Sequence, residues 1–393
     1  MTEPVQPQAE QPATDPVRAR TDALIRRIAQ RIATGTTDES PGPMTESVAA
    51  FLSVERHAAE RERLFLDTPQ VVGFAGEVAR PGQYLTAEAM GIPIVVTRAA
   101  DGGLHALINA CAHRGARVAK GCGTLAGRRL RCGFHGWTFE LDGRLASRPS
   151  AASFAPIAAG DPRCDLTRLP VSDRSGLVVV GLRPDMPQAR VDAHLAEIEP
   201  ELAGLGFERA KTLDVRRYEV AANWKLVSLL SYESYHFAAL HRETVATMFE
   251  ANAIADVFGR HSRWAFALKG TGELAQSDPP TWPDAFPGAI SHQLYPGTVL
   301  ITTWEIAQLI RSEPGPTPGT SVVHTANVYF DAAKREAMIA NVALGTRAFE
   351  EEDLPAAVET QQGLAAGRAE LFAGANEPIV QLWLRQWREA VER

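Results

Sequence analysis

Cysteine is scarce in this chain, with four among 393 positions. Four cysteines cannot staple a fold of this length, which excludes a disulfide-built scaffold. Cys111 and Cys132 each have a histidine within three residues, whereas Cys122 and Cys164 have none at such a spacing. The sequence therefore predicts metal binding by the first two and a packing role for the other two.

Long apolar runs and basic stripes are also missing. The most apolar segments, such as GLVVVGL at 176–182, are far shorter than the ~20 residues that a membrane-spanning helix needs. The net charge is −7 with Lys and Arg scattered, so neither a membrane nor a nucleic acid is an expected partner. The first residues, MTEPVQPQAEQPATDP, hold acids and prolines where a secretory signal would be basic and then apolar, and they predict a disordered tail of a cytoplasmic protein.

The composition of the chain changes twice along its length. Residues 1–62 predict this tail and then a helical arm, which contains TDALIRRIAQRIA and packs on the last domain. Residues 63–185 hold short β-rich runs between Gly, Asp and Pro, which is typical of a small all-β domain. Residues 186–393 mix strand and helix patterns and predict a larger catalytic domain. The predicted fold class is α+β.

Two short motifs, Cys111-x-His113 and Cys132-x-x-His135, each bring one thiolate and one imidazole to a Gly-rich loop. Four such ligands suit either zinc or an iron–sulfur cluster. Zinc fingers usually pair Cys with Cys and His with His at short spacing, whereas a Rieske [2Fe–2S] cluster has two Cys on one iron and two His on the other. Two facing loops that each donate one Cys and one His can place both Cys on one iron and both His on the other, so the spacing favours a Rieske cluster.

The residues around these motifs carry a family resemblance. HRGA at 113–116, GFHGWTF at 133–139 and LDGRL at 141–145 resemble the Rieske domain of non-haem iron, aromatic ring-hydroxylating oxygenase α subunits. NWKLVSLLSYESYHFAALH at 223–241 resembles the iron-binding segment of the same family. The resemblance implies a [2Fe–2S] cluster, a mononuclear Fe(II), and a catalytic domain whose antiparallel sheet is covered by helices in the helix-grip or START-like manner.

On this resemblance, His236, His241 and Asp353 bind the mononuclear iron. Two histidines and one carboxylate leave open positions on Fe(II) for O2 and substrate. Taken without the resemblance, the acidic run around Asp353 is typical of the solvated first turn of a helix. The other acids of that segment are set aside as ligands, and they are Glu351, Glu352 and Glu359.

The spacing of the two histidines sets a geometric condition. Positions five apart on an unbroken α-helix point about 140° from each other, so His236 and His241 reach one ion only if the helix ends or distorts between them. A buried histidine pair without a metal is the alternative that the residues alone leave open.

The resemblance also gives roles to two residues ahead of the histidines. It makes Glu233 the acid that links His236 to the cluster of a neighbouring subunit in a ring-shaped homotrimer, and it places Asn223 among the catalytic residues. Leu229 and Leu230 replace the acid and Asn often found ahead of that Glu, so Glu233 carries the polar path alone.

The chain contains no G-x-G-x-x-G fingerprint, no flavin motif and no plant-type ferredoxin run. Oxygen activation needs two electrons and the cluster stores one, so a separate NAD(P)H-dependent reductase, with or without a ferredoxin, is the expected electron source. The expected function is that of a terminal oxygenase. A Rieske electron carrier without oxygenase activity is the alternative from another class.

The segment from Phe249 to Trp304 is predicted to line the substrate pocket because it is rich in aromatic residues. Flat apolar rings suit such a pocket, so the expected reaction is mono- or dioxygenation, or demethylation, of a small aromatic substrate. The alternative substrate is a quaternary ammonium compound such as a betaine or carnitine, held by cation–π attraction. The aromatic residues concerned are Phe249, Trp264, Phe266, Trp282, Phe286, Tyr295 and Trp304.

Overall fold

The computed structural model describes residues 15–158, 160–303 and 306–392. The N-terminal helix begins where Asp15 accepts a hydrogen bond from Val17 N at 3.0 Å, with Pro16 in its first turn. Its buried face, which includes Ile25 and Ile28, packs on the long C-terminal sheet. The disordered tail predicted before it lies outside the described residues. The N-terminal elements are α1 (Pro16–Ala33), β1 (Met44–Ser47), α2 (Ala49–Leu52), α3 (Val54–Ala59) and a π-helix (Glu60–Leu66).

The middle of the chain is built from short antiparallel strands. Five of them form a sheet in the order β10-β5-β4-β3-β6, and two three-stranded sheets, β11-β12-β2 and β7-β8-β9, complete the region. The strands are β2 (Gln70–Phe74), β3 (Gln83–Ala89), β4 (Ile92–Arg98), β5 (Leu104–Ile108), β6 (Cys122–Thr124), β7 (Leu130–Arg131), β8 (Thr138–Phe139), β9 (Leu145–Ser147), β10 (Arg168–Leu169), β11 (Val171–Ser172) and β12 (Leu177–Val180).

A seven-stranded antiparallel sheet forms the centre of the C-terminal region, in the order β13-β19-β18-β17-β16-β15-β14. Its strands are β13 (Lys211–Val220), β14 (Phe249–Phe258), β15 (His261–Leu268), β16 (Gly288–Leu294), β17 (Thr298–Thr302), β18 (Ile306–Pro314) and β19 (Ser321–Tyr329). A further strand, β20 (Glu370–Ala373), pairs with β1 and ties the two ends of the chain together.

Helices cover this sheet and carry or flank the predicted iron ligands. The last helix buries Trp383 and Trp387 in the largest core cluster, against residues of the sheet. The helices are α4 (Gln188–Asp192), α5 (Glu199–Leu202), α6 (Trp224–Leu229), α7 (Phe237–Leu240), α8 (Arg335–Arg347), a second π-helix (Ala348–Asp353), α9 (Leu354–Ala365) and α10 (Pro378–Glu392). The predicted α+β class is confirmed, and the domain boundaries at 62 and 185 stay predictions. None of the described helices has both the length and the apolar character needed to cross a bilayer.

Candidate functional site: two metal centres and a cavity

The two Cys/His motifs occupy loops with the same hydrogen-bonding pattern. The amide of Cys111 donates to Ala116 O at 2.8 Å and Gly115 N donates back to Cys111 O at 2.7 Å. In the second loop, Cys132 N donates to the carbonyl five residues ahead at 2.8 Å, and Gly136 N donates back at 3.0 Å. Gly115 and Gly136 both have φ near +75°, a conformation that side chains disfavour. The two loops therefore present their Cys in the same way, while the His stands two residues after Cys111 and three residues after Cys132.

The four side chains separate into a buried pair and an outer pair. Cys111 and Cys132 are 3% and 2% exposed, and burial together with the neighbouring thiol raises the pKa of Cys111. His113 and His135 lie nearer the surface with ring centroids 4.6 Å apart, and His113 Nδ1 is buried without a hydrogen-bond partner.

These four residues fit a two-iron cluster better than a single ion. Among the described residues they are not a group whose ligand atoms converge within 4.8 Å, as one tetrahedral zinc ion would require. A Cys pair on the inside and a His pair on the outside match the two ends of a Rieske cluster. Cys164 is buried in the same core cluster as Cys111 and Cys132, whereas Cys122 is exposed, so the packing role predicted for Cys122 is wrong.

The second centre brings together His236, His241 and Asp353. Their ligand atoms all lie within 4.8 Å of one another, with His241 Nε2 3.1 Å and His236 Nε2 3.8 Å from Asp353 Oδ1. That oxygen is buried and accepts no hydrogen bond. Two imidazoles and one carboxylate that converge on one side fit the facial set of non-haem Fe(II) oxygenases. Their role as iron ligands is taken up under the proposed function.

The local backbone provides the break that the spacing requires. His236 precedes the single-turn helix Phe237–Leu240, and His241 follows it with φ −97° and ψ 34°, outside the helical region. The two imidazole rings consequently face each other with centroids 4.9 Å apart. Asp353 ends the second π-helix, an irregularity of the kind that is frequent at functional sites.

Each histidine has a carboxylate on its second ring nitrogen. Glu233 binds His236 Nδ1 and also accepts from His236 N at 3.1 Å. Glu352 lies 2.5 Å from His241 Nδ1 and accepts from Thr244 Oγ1 at 2.6 Å. Such outer carboxylates fix the orientation of metal-binding imidazoles. The contact of Glu352 with His241 was not predicted from the sequence, because nothing in a run of four acids shows which carboxylate faces the histidine.

The electrostatics of this centre favour a cation. Burial lowers the pKa of His241, but the carboxylates of Asp353 and Glu352 outweigh it and raise that pKa above its ordinary value. Burial also works against the charge of Glu352, yet hydrogen bonds from Thr244 and His241 hold the pKa of its carboxyl below the usual range. A divalent cation between the imidazoles would offset this excess of negative charge.

Asn223 has a structural place rather than a place in the cavity. It caps α6, with its side-chain oxygen accepting from Lys225 N at 3.0 Å and its amide nitrogen donating to Phe51 O at 3.0 Å and Pro318 O at 2.8 Å. Its backbone N donates to Gln361 Oε1 at 2.9 Å. This amide is engaged and does not line the cavity, and the catalytic role of Asn223 stays a prediction.

A cavity of about 410 Å³ opens onto His236, His241 and Asp353. Its wall is mostly apolar and includes four phenylalanines, Phe237, Phe249, Phe266 and Phe349. The polar residues of the wall away from the metal ligands and Glu233 are Ser231, Ser291, Thr303, Gln308, Asn327 and Asn341. A larger cleft of about 810 Å³ lies on the β-rich region, but none of the seven predicted metal ligands lines it.

The aromatic residues expected in the pocket separate into two groups. Phe249 and Phe266 line the cavity. The prediction is wrong for four others, because Trp264 and Tyr295 lie in the main core while Trp282 and Phe286 pack beneath α1. Trp304 lies outside the described residues. Trp264 and Phe266 lie two residues apart on β15 and so point to the same face, and composition does not show that only Phe266 reaches the cavity.

Two family models match the chain. The model of the Rieske [2Fe–2S] domain matches residues 68–164, and that of the ring hydroxylating alpha subunit (catalytic domain) matches residues 207–393. Each match contains the ligand set predicted for that half of the chain.

Relatives with curated functions include oxygenases of two kinds. The chain is 33% identical over 241 residues to the glycine betaine monooxygenase oxygenase subunit of Chromohalobacter salexigens, an alignment that covers 60% of this chain and 50% of the relative. It is 30% identical over 189 residues to the 2-halobenzoate 1,2-dioxygenase large subunit of Burkholderia cepacia, covering 46% and 40%. The chain thus spans about half the length of the curated relatives that it matches.

Solved structures share the fold over most of the chain. A quaternary ammonium Rieske monooxygenase in complex with L-carnitine aligns with a TM-score of 0.72 at 20% identity, covering 88% of this chain and 95% of that one. Naphthalene 1,2-dioxygenase from Rhodococcus sp. aligns with a TM-score of 0.69 at 16% identity, covering 95% and 99%. The Rieske domain implies a [2Fe–2S] cluster, and the catalytic domain of such oxygenases binds a mononuclear iron. The chain belongs to the family of Rieske non-haem iron ring-hydroxylating oxygenase α subunits.

Proposed function

We propose that the protein is the terminal oxygenase of a multicomponent system, which takes electrons from a separate reductase and uses O2 to oxidise a small organic molecule. The observation that carries the proposal is that the His236, His241 and Asp353 cluster opens into a closed-in apolar cavity in a chain that also has the paired Cys/His loops. An electron carrier would need only the loops, so this second centre argues against that alternative.

The residues of the chain divide the work. When bound, a Rieske cluster stores one electron, and a ferrous ion supplies the open positions at which O2 and substrate meet. Cys111, His113, Cys132 and His135 would hold the cluster, and His236, His241 and Asp353 would hold the iron. Glu233 and Glu352 keep the two imidazoles in one orientation, with Nε2 directed at Asp353. The phenylalanine side chains exclude water from the cavity around them.

Electron transfer between subunits is part of the proposal, and a homotrimer is the assembly that it requires. His135 lies at the surface beside Phe134, which is 61% exposed. On the catalytic side, Glu233 binds His236 and is followed by Tyr235, which is 70% exposed. A ring of subunits lets the outer histidines of one copy meet Glu233 of the next. The cytoplasmic location likewise stays a prediction.

The relatives favour a second candidate for the substrate. The main candidate is a small aromatic compound, supported by the phenylalanine-rich wall. The second is a quaternary ammonium compound, since the chain is 33% identical over 241 residues to a glycine betaine monooxygenase subunit. Protein purified without oxygen should contain about three irons per chain, against about two for a bare carrier. Reduced protein exposed to O2 with benzoates, phenols or betaines should convert one class, and failure with about two irons would refute the proposal.

Substitution of Glu233 tests the bridging role. The Glu233→Gln variant loses the carboxylate that orients His236, so it is compared with the wild type after loading with Fe(II) to the same iron content. It should then keep the cluster absorbance but lose most product formation, because the path between the centres is interrupted. The matched control is Glu243→Gln, which changes an exposed glutamate nearby in the chain. Undiminished turnover of Glu233→Gln would contradict the role.

A further inference from the structure

One row of side chains crosses four strands of the catalytic sheet and lines the cavity. Ser291 on β16 is paired with Ile301 on β17, Ile301 with Gln308 on β18, and Gln308 with Asn327 on β19. Residues paired directly across antiparallel strands point to the same face of the sheet, and all four of these line the cavity. The register therefore places the amides of Gln308 and Asn327 side by side on its wall.

These two amides differ from the polar residue at the other end of the row. Ser291 Oγ donates to Ser231 O at 3.0 Å and accepts from Gln293 Nε2 at 2.9 Å. The side chains of Gln308 and Asn327 have no hydrogen-bond partner within the part of the chain that the structure describes, although Asn327 is only 3% exposed. A buried amide without a partner is costly. Asn327 is buried and Gln308 is half-buried beside it, and a molecule bound in the cavity could form hydrogen bonds with both amides.

The charges around the cavity narrow the chemistry of that molecule. The described lining residues include no Lys or Arg, and the only acids are Glu233 and Asp353, both of which contact the metal-site histidines. A carboxylate bound at the amides would lose its water without gaining a cationic partner. A quaternary ammonium group has neither a hydrogen-bond donor nor an acceptor, so it would leave both amides without a partner. An uncharged carbonyl or hydroxyl group avoids both costs.

We propose that Gln308 and Asn327 bind an uncharged hydrogen-bonding substituent, a carbonyl or a hydroxyl, of a small apolar substrate. Each amide provides two N–H donors and one acceptor oxygen, so the pair can bind either group. The apolar body of the substrate lies against the phenylalanine side of the cavity, next to Asp353 and His236. This inference rests on the proposed function only in taking the cavity as the substrate site, and it assigns a substrate unlike the betaine named for the relative.

The test compares four monosubstituted benzenes on the iron-loaded protein without O2, by calorimetry. They are benzamide, toluene, benzoate and phenyltrimethylammonium. Benzamide should bind about tenfold more tightly than toluene, and more tightly than either ion, because each hydrogen bond to an amide adds a few-fold in affinity. Tightest binding of benzoate or of the ammonium ion, or no measurable binding of benzamide, would overturn the inference.

Variants of the row connect this preference to the two amides. Asn327→Leu and Gln308→Met should reduce the benzamide-to-toluene affinity ratio several-fold, whereas Ile301→Val, in the same row, should change both affinities alike. The ratio is measured on one protein sample, so a loss of folded protein lowers both signals and leaves it intact. If Asn327→Leu does not fold, the affinity ratio of Gln308→Met, at the less buried position, tests the assignment. A ratio that neither variant changes would refute the assignment.

The outcome is distinguishable from that of the proposed function. Binding is measured without O2 or reductant, so a protein that prefers benzamide but forms no product would refute only the oxygenase activity. A protein that forms product while the variants keep the wild-type affinity ratio would refute only the role of the amides.

Discussion

The buried ion pair between Lys225 and Glu60 allows a sharp prediction about how the iron-binding segment is held. Lys225 Nζ lies 2.5 and 2.7 Å from the two Glu60 oxygens, and the side chains are 1% and 0% exposed. Glu60 also accepts from Trp224 Nε1 at 2.9 Å and from Arg56 Nε at 3.2 Å. The pair connects the N-terminal π-helix to α6, which leads into the segment of His236.

Removing one partner of the Lys225–Glu60 pair should destabilise the fold far more than removing both. Lys225→Met leaves the Glu60 carboxylate buried with Arg56 as its remaining cation, and breaking a buried pair in this way costs about 3–5 kcal/mol. Burial lowers the pKa of Lys225 to about 8 although Glu60 lies beside it, so desolvation outweighs the attraction. Replacing both residues by Met should therefore restore most of the lost stability.

Thermal unfolding followed by circular dichroism measures this effect. At roughly 2–4 °C per kcal/mol for a domain of this size, the melting temperature of Lys225→Met should fall by about 6–20 °C. The Glu60→Met/Lys225→Met double variant should recover most of it, and Lys120→Met, at an exposed lysine, should change nothing. A fall below about 2 °C in the single variant, or a double variant no more stable than it, would refute the reasoning.

Two further predictions concern the metal site and acid stability. Glu352→Gln should weaken Fe(II) binding by about 10–100-fold in chelator competition, because the loss of its carboxylate loosens His241. Glu351→Gln, at the exposed neighbour, should leave Fe(II) binding unchanged. Equal effects of the two substitutions would contradict the role of Glu352. Burial lowers the pKa of His292, 1% exposed, from 6.5 to about 3, so the unfolded chain binds more protons between these values and stability is complete only above pH 6.5. Acidification to pH 5 should lower the free energy of unfolding by about 2 kcal/mol through this group. The melting temperature of His292→Gln should therefore fall less between pH 6.5 and pH 5 than that of the wild type. An unchanged slope would show that His292 does not contribute.

The four predicted cluster ligands lie at short spacing in the sequence, whereas Asp353 was predicted only from the family resemblance. Cys111 with His113, and Cys132 with His135, are each held in one loop by hydrogen bonds within six residues. The break between the predicted ligands His236 and His241 also follows from their spacing. The fold class followed from the change of texture along the chain, and the structure confirms it.

Tertiary structure determined which side chains contact these predicted ligands and the residues near them. Glu352 reaches His241 across 111 positions of sequence, so the choice among adjacent glutamates depends on the phase of a π-helix. Asn223 caps α6 through Lys225 N, and its other hydrogen bonds go to three distant segments, at Phe51, Pro318 and Gln361.

The character of the cavity depended on strand register in the same way. Gln308 and Asn327 are unremarkable in sequence, and only the pairing of β18 with β19 places them side by side on one face. Successive residues of a strand point to opposite faces, so a shift of one position would have buried both amides in the core. The sequence by itself determined which groups lie together in each Cys/His loop and around His236 and His241, because those contacts are local. The long-range packing of helix on sheet brought Asp353 to the two histidines and determined which side chains a substrate meets.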